Sequence, residues 1–464
     1  MYLIALPLLI FSHIAASQTI VETLPGFGKL PFKLETGYVG VGEADEVQLF
    51  YYFLESERDP SFDPLVLWLT GGPGCSGFSA LAFEIGPLTF DYLSYTGGIP
   101  PLKLNPYSWT KVASIIFIDA PVGTGFSYAK TTEASYTSDT KSAQQTYSFL
   151  RKWLMDHPKF LDNPLYIAGD SYSGKIIPML VQEISDGNEV GHQPPLNIKG
   201  YIMGNPVTDE HMDLNSRVPY AQLKALISEE LYESTKLNCM GEYIYPNTSN
   251  ALCIKDLQNV TDCIGGLYYA NILEPSCTVL SPKSMGLKWD RGALINDSVD
   301  ILLSTPKLLG PWCRSYNYLY SYIWANDRTV QEALHIREGT KEDWERCNSS
   351  LSYLHDVQTV VPYHRNLIKK GYRVLVYSGD QDLAIPYVGT QAWIKSLNLT
   401  IEDDWAPWFV DGQVAGLASI YLFFLIHSFY ISKQPSFCTG HTAPEYKPKE
   451  CYGMLERWLA YYPL

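Results

Sequence analysis

Residues 169–174 read Gly-Asp-Ser-Tyr-Ser-Gly, and this stretch decides the fold that the sequence predicts. It lies between two apolar runs, residues 164–168 and 176–181. A strand, a sharp turn with a serine at its apex and a helix form a nucleophile elbow, which strains the serine backbone and exposes its hydroxyl. Small residues are needed on both sides, because a bulky neighbour would collide with the adjoining elements. Ser173 stands where the G-x-S-x-G pattern has its second glycine, and an ordinary strand-to-helix turn is the alternative.

An acid and a histidine follow later in the chain, in the order that a nucleophile elbow requires. Residues 372–377 predict a strand that leads into Asp380 and Asp382. An acidic residue just past a strand lies at the carboxyl edge of the sheet, where the active sites of open α/β sheets are found. His441 lies in a Gly/Pro loop before a helix predicted from Lys449 to Leu459. The sequence therefore predicts an α/β fold with a serine, an acid and a histidine at one edge.

A glycine-rich loop follows another apolar stretch upstream. Residues 66–70 read Val-Leu-Trp-Leu-Thr, and residues 71–77 read Gly-Gly-Pro-Gly-Cys-Ser-Gly. A buried strand that leads into such a loop can bring a backbone N–H to a developing oxyanion. A plain Gly/Pro turn would have the same composition.

Together these motifs resemble the serine carboxypeptidases and the plant serine carboxypeptidase-like proteins, over about residues 24–464. Three further stretches carry the resemblance: residues 117–128, 204–206 and 440–446. The resemblance implies an α/β-hydrolase fold with a central, mostly parallel sheet and a lid inserted at about residues 207–325. The chain has nine cysteines, for which the resemblance implies the disulfides Cys75–Cys347, Cys239–Cys253 and Cys277–Cys313.

The resemblance also implies a catalytic mechanism. Ser171 is expected to be the nucleophile, His441 to accept its proton and Asp382 to orient the imidazole, with Asp380 as the less favoured acid. The backbone N–H groups of Gly72 and Tyr172 would bind the oxyanion. An acyl-enzyme would then react with water or another nucleophile. We expect no metal ion and no other cofactor.

Four residues of the predicted substrate pocket bear on the choice of reaction. The peptidases of this family grip the substrate's terminal carboxylate with an asparagine before the Gly-Gly-Pro, a glutamate before the nucleophile and a second glutamate in the first loop. This chain has Thr70 at the first position, directly before Gly71. It has Asp170 at the second position and keeps Glu84 at the third. The first and second departures weaken such a clamp. They resemble the acyltransferase branch, which takes acyl groups from 1-O-β-glucose esters, so we predict an acyltransferase, with a serine carboxypeptidase as the alternative.

The segment before His441 supports a third hypothesis. Residues 417–440 depart from the family pattern, being more apolar and retaining one glycine, Gly440, at the turn. Their apolar run, about a dozen residues broken by His427, is too short to span a bilayer but could form the last strand. Because about 1 Å of misplacement can cost about a hundredfold in rate, the chain could instead be a catalytically silent secreted glycoprotein. His427 is a weak alternative base, since it lies mid-strand.

Composition and targeting signals suit a secreted protein. The chain has 464 residues, 46% of them hydrophobic, and a net charge of −15, which argues against nucleic acid or an anionic membrane as partner. Residues 1–17 predict a signal peptide, and we expect the mature chain to be vacuolar or extracellular, with no membrane span. Its partners would be a small-molecule acyl donor and acceptor, or a peptide C-terminus. The N-x-S/T glycosylation sequons are at Asn247, Asn259, Asn296, Asn348 and Asn398.

Overall fold

The computed structural model describes residues 19–277, 299, 302–303, 313–421, 426–431 and 439–462, with residues 426–431 described as backbone only. The predicted signal peptide, the Asn296 sequon and Cys438 lie outside the described residues. So do two parts of the segment before His441, residues 422–425 and 432–438. In the part of the chain that is described, no helix is long and apolar enough to cross a membrane.

Apolar runs form the strands, and the described part of the chain contains β1 (Thr19–Leu24), β2 (Gly28–Val41), β3 (Val47–Leu54), β4 (Leu65–Leu69), β5 (Leu88–Phe90), β6 (Leu102–Leu104), β7 (Ser114–Ile118), β8 (Tyr128–Ala129), β9 (Thr137–Ser138), β10 (Leu165–Asp170), β11 (Ile198–Gly204), β12 (Tyr353–Leu354), β13 (Arg373–Gly379), β14 (Ile401–Val410), β15 (Gln413–Tyr421) and β16 (Ile426–Ile431).

Twelve of these strands form one mixed sheet within the described residues, in the order β1-β2-β3-β7-β4-β10-β11-β13-β16-β15-β14, with β8 paired to β3. The central strands from β7 to β16 are all parallel to one another. Antiparallel strands flank them on both sides. The predicted α/β fold with a mostly parallel sheet is confirmed, and its parallel strands end at one edge.

The helices are α1 (Gly77–Phe83), α2 (Asp139–Asp156), α3 (Ser173–Glu189), α4 (Glu210–Asn215), α5 (Arg217–Leu223), α6 (Glu229–Cys239), α7 (Ala251–Ile264), α8 (Tyr318–Ala325), α9 (Arg328–Ala333), α10 (Val361–Lys369), α11 (Tyr387–Ser396), α12 (Ala443–Tyr446) and α13 (Pro448–Leu459). Short 3₁₀ turns occur at Trp109–Lys111, Glu133–Ser135, Pro158–Phe160 and Arg314–Asn317.

Helices cover both faces of the sheet, because successive strand residues point to opposite faces. In β4, Val66 and Trp68 pack into one core with α1, α8 and α13, whereas Leu67 packs into the other core with α2, α3, α10 and α11. Burial on both faces is what a parallel sheet requires. One face of α2 is apolar, since its Ala143, Leu150, Trp153 and Leu154 side chains are buried and Tyr147 packs against the core.

The chain between β11 and β13 carries helices α4 to α10, and the part at about residues 207–325 is the predicted lid. A separate small core of Val218, Tyr220 and Ile264 also includes Leu383, which follows β13. The Cys239–Cys253 disulfide joins the ends of α6 and α7, and the Cys277–Cys313 disulfide lies further along.

The Cys75–Cys347 disulfide joins the glycine-rich loop to the chain that precedes α10. All three disulfides are the pairs that the family resemblance implied. Among the described cysteines, Cys263 is exposed and free and Cys451 is buried and free.

Asp213 in α4 makes the stability of this fold depend on pH. Burial raises the pKa of its carboxyl to about 7, although the backbone N–H groups of Thr208 and Asp209, which donate to this carboxyl, lower the pKa. Between about pH 4 and pH 7 the folded chain therefore keeps a proton that the unfolded chain has lost, so the free energy of unfolding falls as pH rises.

We expect the free energy of unfolding of Asp213→Asn to fall less steeply with pH than that of the wild type, by up to about 1.4 kcal/mol per pH unit. Urea unfolding at pH 4.5, 5.5 and 6.5 measures it, and the wild type is the control because the other groups titrate in both proteins. Parallel curves for the two proteins would contradict the prediction.

Candidate active site

The sharp turn at Ser171 connects β10 to α3. Ser171 has a φ of +56°, a left-handed conformation that a non-glycine residue adopts only under constraint. A Cβ on Gly169 would lie 2.1 Å from the Leu69 carbonyl oxygen, and one on Gly174 would lie 2.4 Å from Pro206 Cβ. Small residues are therefore required on both sides of the serine. The Ser173 hydroxyl, in place of a glycine, donates to the Asp170 carbonyl at 2.7 Å.

The serine, the histidine and the acid predicted from the sequence meet at this turn. Ser171 Oγ lies 2.7 Å from His441 Nε2, and His441 Nδ1 lies 2.6 Å from Asp382 Oδ2. With Nδ1–H donating to the carboxylate, Nε2 is free to accept the serine proton. Burial alone would lower the pKa of His441, but the Asp382 carboxylate outweighs burial and raises it. The arrangement can deprotonate Ser171 and stabilise the imidazolium that results.

Asp382 is fixed from several directions. Its Oδ1 accepts the backbone N–H groups of Ala384 (2.7 Å) and Ile385 (3.2 Å), and its Oδ2 accepts Asn205 Nδ2 at 2.8 Å. Asn205 directly follows β11, the strand between those that lead to Ser171 and Asp382. Sequence reasoning used this asparagine only as part of a family motif and missed its contact with the acid.

Asp380, the other acid considered, faces elsewhere. Its Oδ2 accepts Lys224 Nζ at 2.9 Å and Gln381 Nε2 at 2.8 Å, and its Oδ1 accepts the Thr439 N–H at 3.4 Å. Sequence reasoning missed the Lys224 partner. The geometry favours Asp382 as the partner of His441.

The predicted oxyanion donors lie on either side of the serine hydroxyl. Tyr172 N follows Ser171 at the start of α3, where backbone N–H groups have no intrahelical partner. The glycine-rich loop passes beside it, because a Cβ on Gly71 would lie 2.8 Å from Tyr172 N and 2.5 Å from Ser171 Cβ. Among the described residues, no backbone acceptor takes the N–H of Gly72 or of Tyr172. Both are therefore available to bind an oxyanion.

A buried aspartate supports the end of the glycine-rich loop. Asp119 accepts Ser76 Oγ at 2.6 Å and the Gly77 N–H at 2.8 Å through Oδ1, and the Phe126 N–H at 2.8 Å through Oδ2. Burial raises the pKa of Asp119 to about 6, although these hydrogen bonds lower it. Together with the Cys75–Cys347 disulfide, this contact holds the C-terminal end of the loop.

A pocket of about 210 Å³ opens beside the Ser171 hydroxyl. All four residues predicted to bind substrate line it, namely Thr70, Gly71, Glu84 and Asp170. Sequence reasoning missed five more lining residues, namely Tyr268, Ala270, Tyr318, Arg346 and Thr442. The Arg346 guanidinium stacks 3.9 Å from the centroid of the Tyr318 ring and donates to Ser79 Oγ at 3.0 Å. The lining of the pocket thus includes a cation as well as carboxyl and hydroxyl groups.

Burial raises the pKa of both carboxyl groups that line the pocket. Burial raises the pKa of Glu84 well above its usual value, and the nearby Asp170 and Glu445 carboxyls add to the shift. Burial also raises the pKa of Asp170, although His441 and the Gly71 N–H lower it. Asp170 Oδ1 accepts that N–H at 3.2 Å. A protonated carboxyl can donate as well as accept a hydrogen bond, which suits a hydroxyl-bearing ligand.

The phenol of Tyr172 is anchored by a residue that sequence reasoning missed. Asp139 Oδ1 accepts both Tyr172 OH (2.7 Å) and Tyr353 OH (2.8 Å), and Asp139 Oδ2 accepts the Val357 N–H at 3.0 Å. His355 Nδ1 also contacts the Tyr172 hydroxyl at 2.5 Å. The residue after the nucleophile is therefore fixed at both its backbone and its ring.

The departure from the family pattern before His441 leaves the sheet intact. Backbone of β16 pairs in parallel with β13, with Ile426 opposite Val374, and antiparallel with β15. The expected last strand is thus confirmed, and His427 lies within it opposite Leu375. His441 follows in a loop, where the structure brings it to Ser171.

The glycosylation sequons differ in exposure. Asn247, Asn259 and Asn398 are exposed, as an acceptor must be. Asn348 is half-buried and its Nδ2 donates to the Gly123 carbonyl at 3.0 Å. Within the described residues, no cluster of His, Cys, Asp and Glu could hold a metal ion.

Known proteins share this sequence and fold over nearly the whole chain. A family model described as serine carboxypeptidase matches residues 25–461. Serine carboxypeptidase-like 17 of Arabidopsis thaliana is 46% identical over 462 residues, covering 98% of this chain and 96% of its own length. Serine carboxypeptidase-like 1 of the same plant is 47% identical over 453 residues, covering 97% and 94%.

A solved structure shares the architecture. Kex1(Δ)p, a prohormone-processing carboxypeptidase from Saccharomyces cerevisiae, matches with a TM-score of 0.72 over 95% of both chains, at 19% sequence identity. At that identity the likeness shows the fold alone, and the α/β-hydrolase fold that the sequence predicted is confirmed.

Proposed function

This chain belongs to the serine carboxypeptidase family, and from that premise we propose that it is a serine-dependent acyltransferase whose donor is a 1-O-β-glucose ester. The proposal rests on one observation above all. Ser171, His441 and Asp382 form a continuous hydrogen-bonded chain beside a pocket whose carboxylate clamp is altered at Thr70 and Asp170. The chain has disulfides, as proteins of the secretory pathway do, and a vacuolar or extracellular destination is part of the proposal.

The first half of the reaction forms an acyl-enzyme. Ser171 Oγ attacks the ester carbonyl carbon while His441 Nε2 takes its proton, and the N–H groups of Gly72 and Tyr172 bind the oxyanion. The tetrahedral intermediate collapses when the bond from the carbonyl carbon to the glucose C1 oxygen breaks. His441 returns the proton to that oxygen, so glucose leaves neutral and Ser171 keeps the acyl group.

The second half transfers the acyl group to an alcohol. An acceptor hydroxyl takes the place of glucose, gives its proton to His441 Nε2 and attacks the acyl carbon. Collapse of the second intermediate breaks the bond to Ser171 Oγ, which recovers the proton from His441. Water in the acceptor's place would give hydrolysis instead.

The walls of the pocket support a hydroxyl-bearing ligand. The Thr70 hydroxyl is buried, lines the pocket and has no hydrogen-bond partner among the described residues, so it can serve a ligand oxygen with one donor. Asparagine at that position would offer an amide with two donors. Asp170 is committed to the Gly71 N–H, and its shorter side chain reaches less far than glutamate would.

Carboxypeptidase activity is the second candidate, favoured by two features of the same pocket. Glu84 is retained at its family position, and the Arg346 guanidinium lines the pocket and could attract a carboxylate. The two functions share the nucleophile and differ in which leaving group and acceptor the pocket takes.

One experiment tests the proposal against both alternatives. The mature protein, produced through a secretory host, is first treated with a fluorophosphonate, and its intact mass is compared with that of Ser171→Ala. It is then offered a 1-O-β-glucose ester of an aromatic acid with malate or choline, and separately a blocked dipeptide at acidic pH.

We expect one fluorophosphonate adduct, absent in Ser171→Ala, and an ester of the added alcohol. Release of a C-terminal amino acid without transfer would assign the peptidase function. A folded protein that gains no adduct would be the silent glycoprotein.

Restoring the family's clamp should shift the reaction. We expect Thr70→Asn combined with Asp170→Glu to raise dipeptide cleavage by about tenfold relative to transfer, because two amide donors and a longer carboxyl can again hold a terminal carboxylate. The ratio of the two kcat/KM values measures it. Thr442→Ser, which keeps the hydroxyl of another pocket residue, is the matched control. An unchanged ratio in the double variant would show that Thr70 and Asp170 do not decide between transfer and dipeptide cleavage.

A further inference from the structure

One short segment of the chain contacts the loops of both the acid and the base. Residues 268–274, here called the bridging segment, follow α7 within the predicted lid. The His441 N–H donates to the Ala270 carbonyl at 2.7 Å, and the Tyr269 carbonyl accepts the Leu383 N–H at 2.8 Å. The Ile272 N–H donates to the Gln381 carbonyl at 3.0 Å. The position of His441 relative to Asp382 thus depends on where this segment lies.

The contact at the histidine loop leaves no room for displacement. A Cβ on Gly440 would lie 2.3 Å from the Ala270 carbonyl oxygen and 2.8 Å from Asn271 Cβ. The backbone at Gly440 is therefore pressed directly against the bridging segment. Movement of that segment toward the histidine loop would therefore displace the imidazole.

Arg314 joins the bridging segment to the helix that follows His441. Its Nε donates to Glu274 Oε1 at 2.8 Å, and its Nη1 lies 3.9 Å from Glu445 Oε1 in α12. Its guanidinium also stacks 4.4 Å from the centroid of the Tyr446 ring. Glu445 Oε2 in turn accepts Thr442 Oγ1 and Tyr318 OH, both at 2.9 Å. The chain of contacts runs from the segment through Arg314 and Glu445 to the residue next to His441.

The charges explain why this link matters. The side chain of Glu445 is 6% exposed and that of Glu274 is 20% exposed, so water screens neither carboxylate well. Arg314 is the cation between them, and without it two poorly solvated carboxyl groups would face each other. They could respond by taking up protons or by moving apart, and either change loosens the contact between the bridging segment and α12.

We propose that Arg314 is a positioning residue for His441, holding the bridging segment and α12 together so that the imidazole stays within hydrogen-bond reach of Ser171. The proposal rests on the proposed function only in taking His441 as the base. Arg314 is not among the residues that line the pocket, so its effect should fall on the reactivity of Ser171 and not on substrate binding.

Arg314→Met tests this, since it keeps most of the aliphatic stem and removes the charge and the fork of donors. We expect the rate constant for fluorophosphonate labelling of Ser171 to fall about 10- to 100-fold, the cost of a displacement of about 1 Å or less. The kcat for transfer should fall likewise, with KM for the donor nearly unchanged. Arg314→Lys should recover part of the loss.

Arg337→Met is the matched control. Arg337 also stacks on a tyrosine ring, 4.5 Å from the centroid of Tyr38, and donates to Gln48 and Tyr128, none of which lines the catalytic pocket. Its loss should cost similar thermal stability and leave labelling within about twofold of the wild type.

The outcomes separate this inference from the proposed function. If the wild type and Arg314→Met are labelled at the same rate, the role of Arg314 alone is overturned. An unlabelled wild type would overturn the proposed function, and with it this inference. If Arg314→Met does not fold, Arg314→Gln takes its place, since it also removes the charge, and labelling of that variant at the wild-type rate with unchanged kcat would reject the role.

Discussion

Replacing His441 by glutamine is expected to lower the rate of Ser171 labelling by about 10⁴-fold or more, the usual scale for loss of a triad member. Glutamine has a similar length and can still form hydrogen bonds, but its amide cannot take the serine proton. The folded state should be little affected, because the backbone N–H that seats this loop on Ala270 is retained. The measurement is the second-order rate constant with a fluorophosphonate, together with the thermal unfolding midpoint.

Two variants make the result specific. Ser171→Ala sets the background, since it removes the labelled atom. His427→Gln replaces the other histidine considered from the sequence, which lies within β16, and should be labelled at the wild-type rate. Loss of labelling in His427→Gln with retention in His441→Gln would reverse the assignment of the base.

The second large effect is expected from Gly71→Ala. Its Cβ would lie 2.5 Å from Ser171 Cβ and 2.8 Å from Tyr172 N, closer than non-bonded atoms approach. The glycine-rich loop would have to move away from the serine, which separates the two oxyanion donors. Because removal of one such donor costs about 10²- to 10³-fold in kcat, we expect at least about a hundredfold loss in acyl transfer.

Gly266→Ala is the matched control for this change. Gly266 lies beyond α7, and no atom comes within 4 Å of the position its Cβ would take. We expect its activity to match that of the wild type. Activity of Gly71→Ala within about threefold of the wild type would show that the loop is not constrained against Ser171 and would weaken the oxyanion assignment.

Local patterns were sufficient to predict the elbow and the triad. Strand, small residue, serine, small residue and helix specify one turn, and parallel strands bring their carboxyl ends to one edge wherever they lie in the chain. This is why an acid just past β13 and His441 could be proposed as partners of Ser171 from their order, whereas the choice of Asp382 over Asp380 came from the family resemblance.

Contacts between distant segments could not be predicted in this way. Asn205, Asp139 and Arg314 reach the site through tertiary packing, and no spacing in the sequence links them to their partners. Arg346 adjoins Cys347, so the disulfide was a clue that this part of the chain approaches the glycine-rich loop. The contacts of these residues form only when the chain has folded.

The segment before His441 departs from the family pattern, yet part of it forms the strand β16. β16 is paired on both sides, with β13 and β15, and an interior strand of a sheet covered on both faces tolerates apolar residues that an exposed strand would not. The apolar character that raised the hypothesis of a silent protein is therefore compatible with the strand's position.

The bond between Cys75 and Cys347 has a consequence for when the protein becomes competent. It closes a loop of 272 residues, so the ribosome must have delivered most of the chain, and an oxidising lumen must have received it, before the glycine-rich loop is tethered. In a reducing cytosol this disulfide would not form, so the glycine-rich loop would stay untethered. Export would then complete the tethering of this loop, and under the proposed function the chain would gain its full activity only after it had left the compartment where it is made.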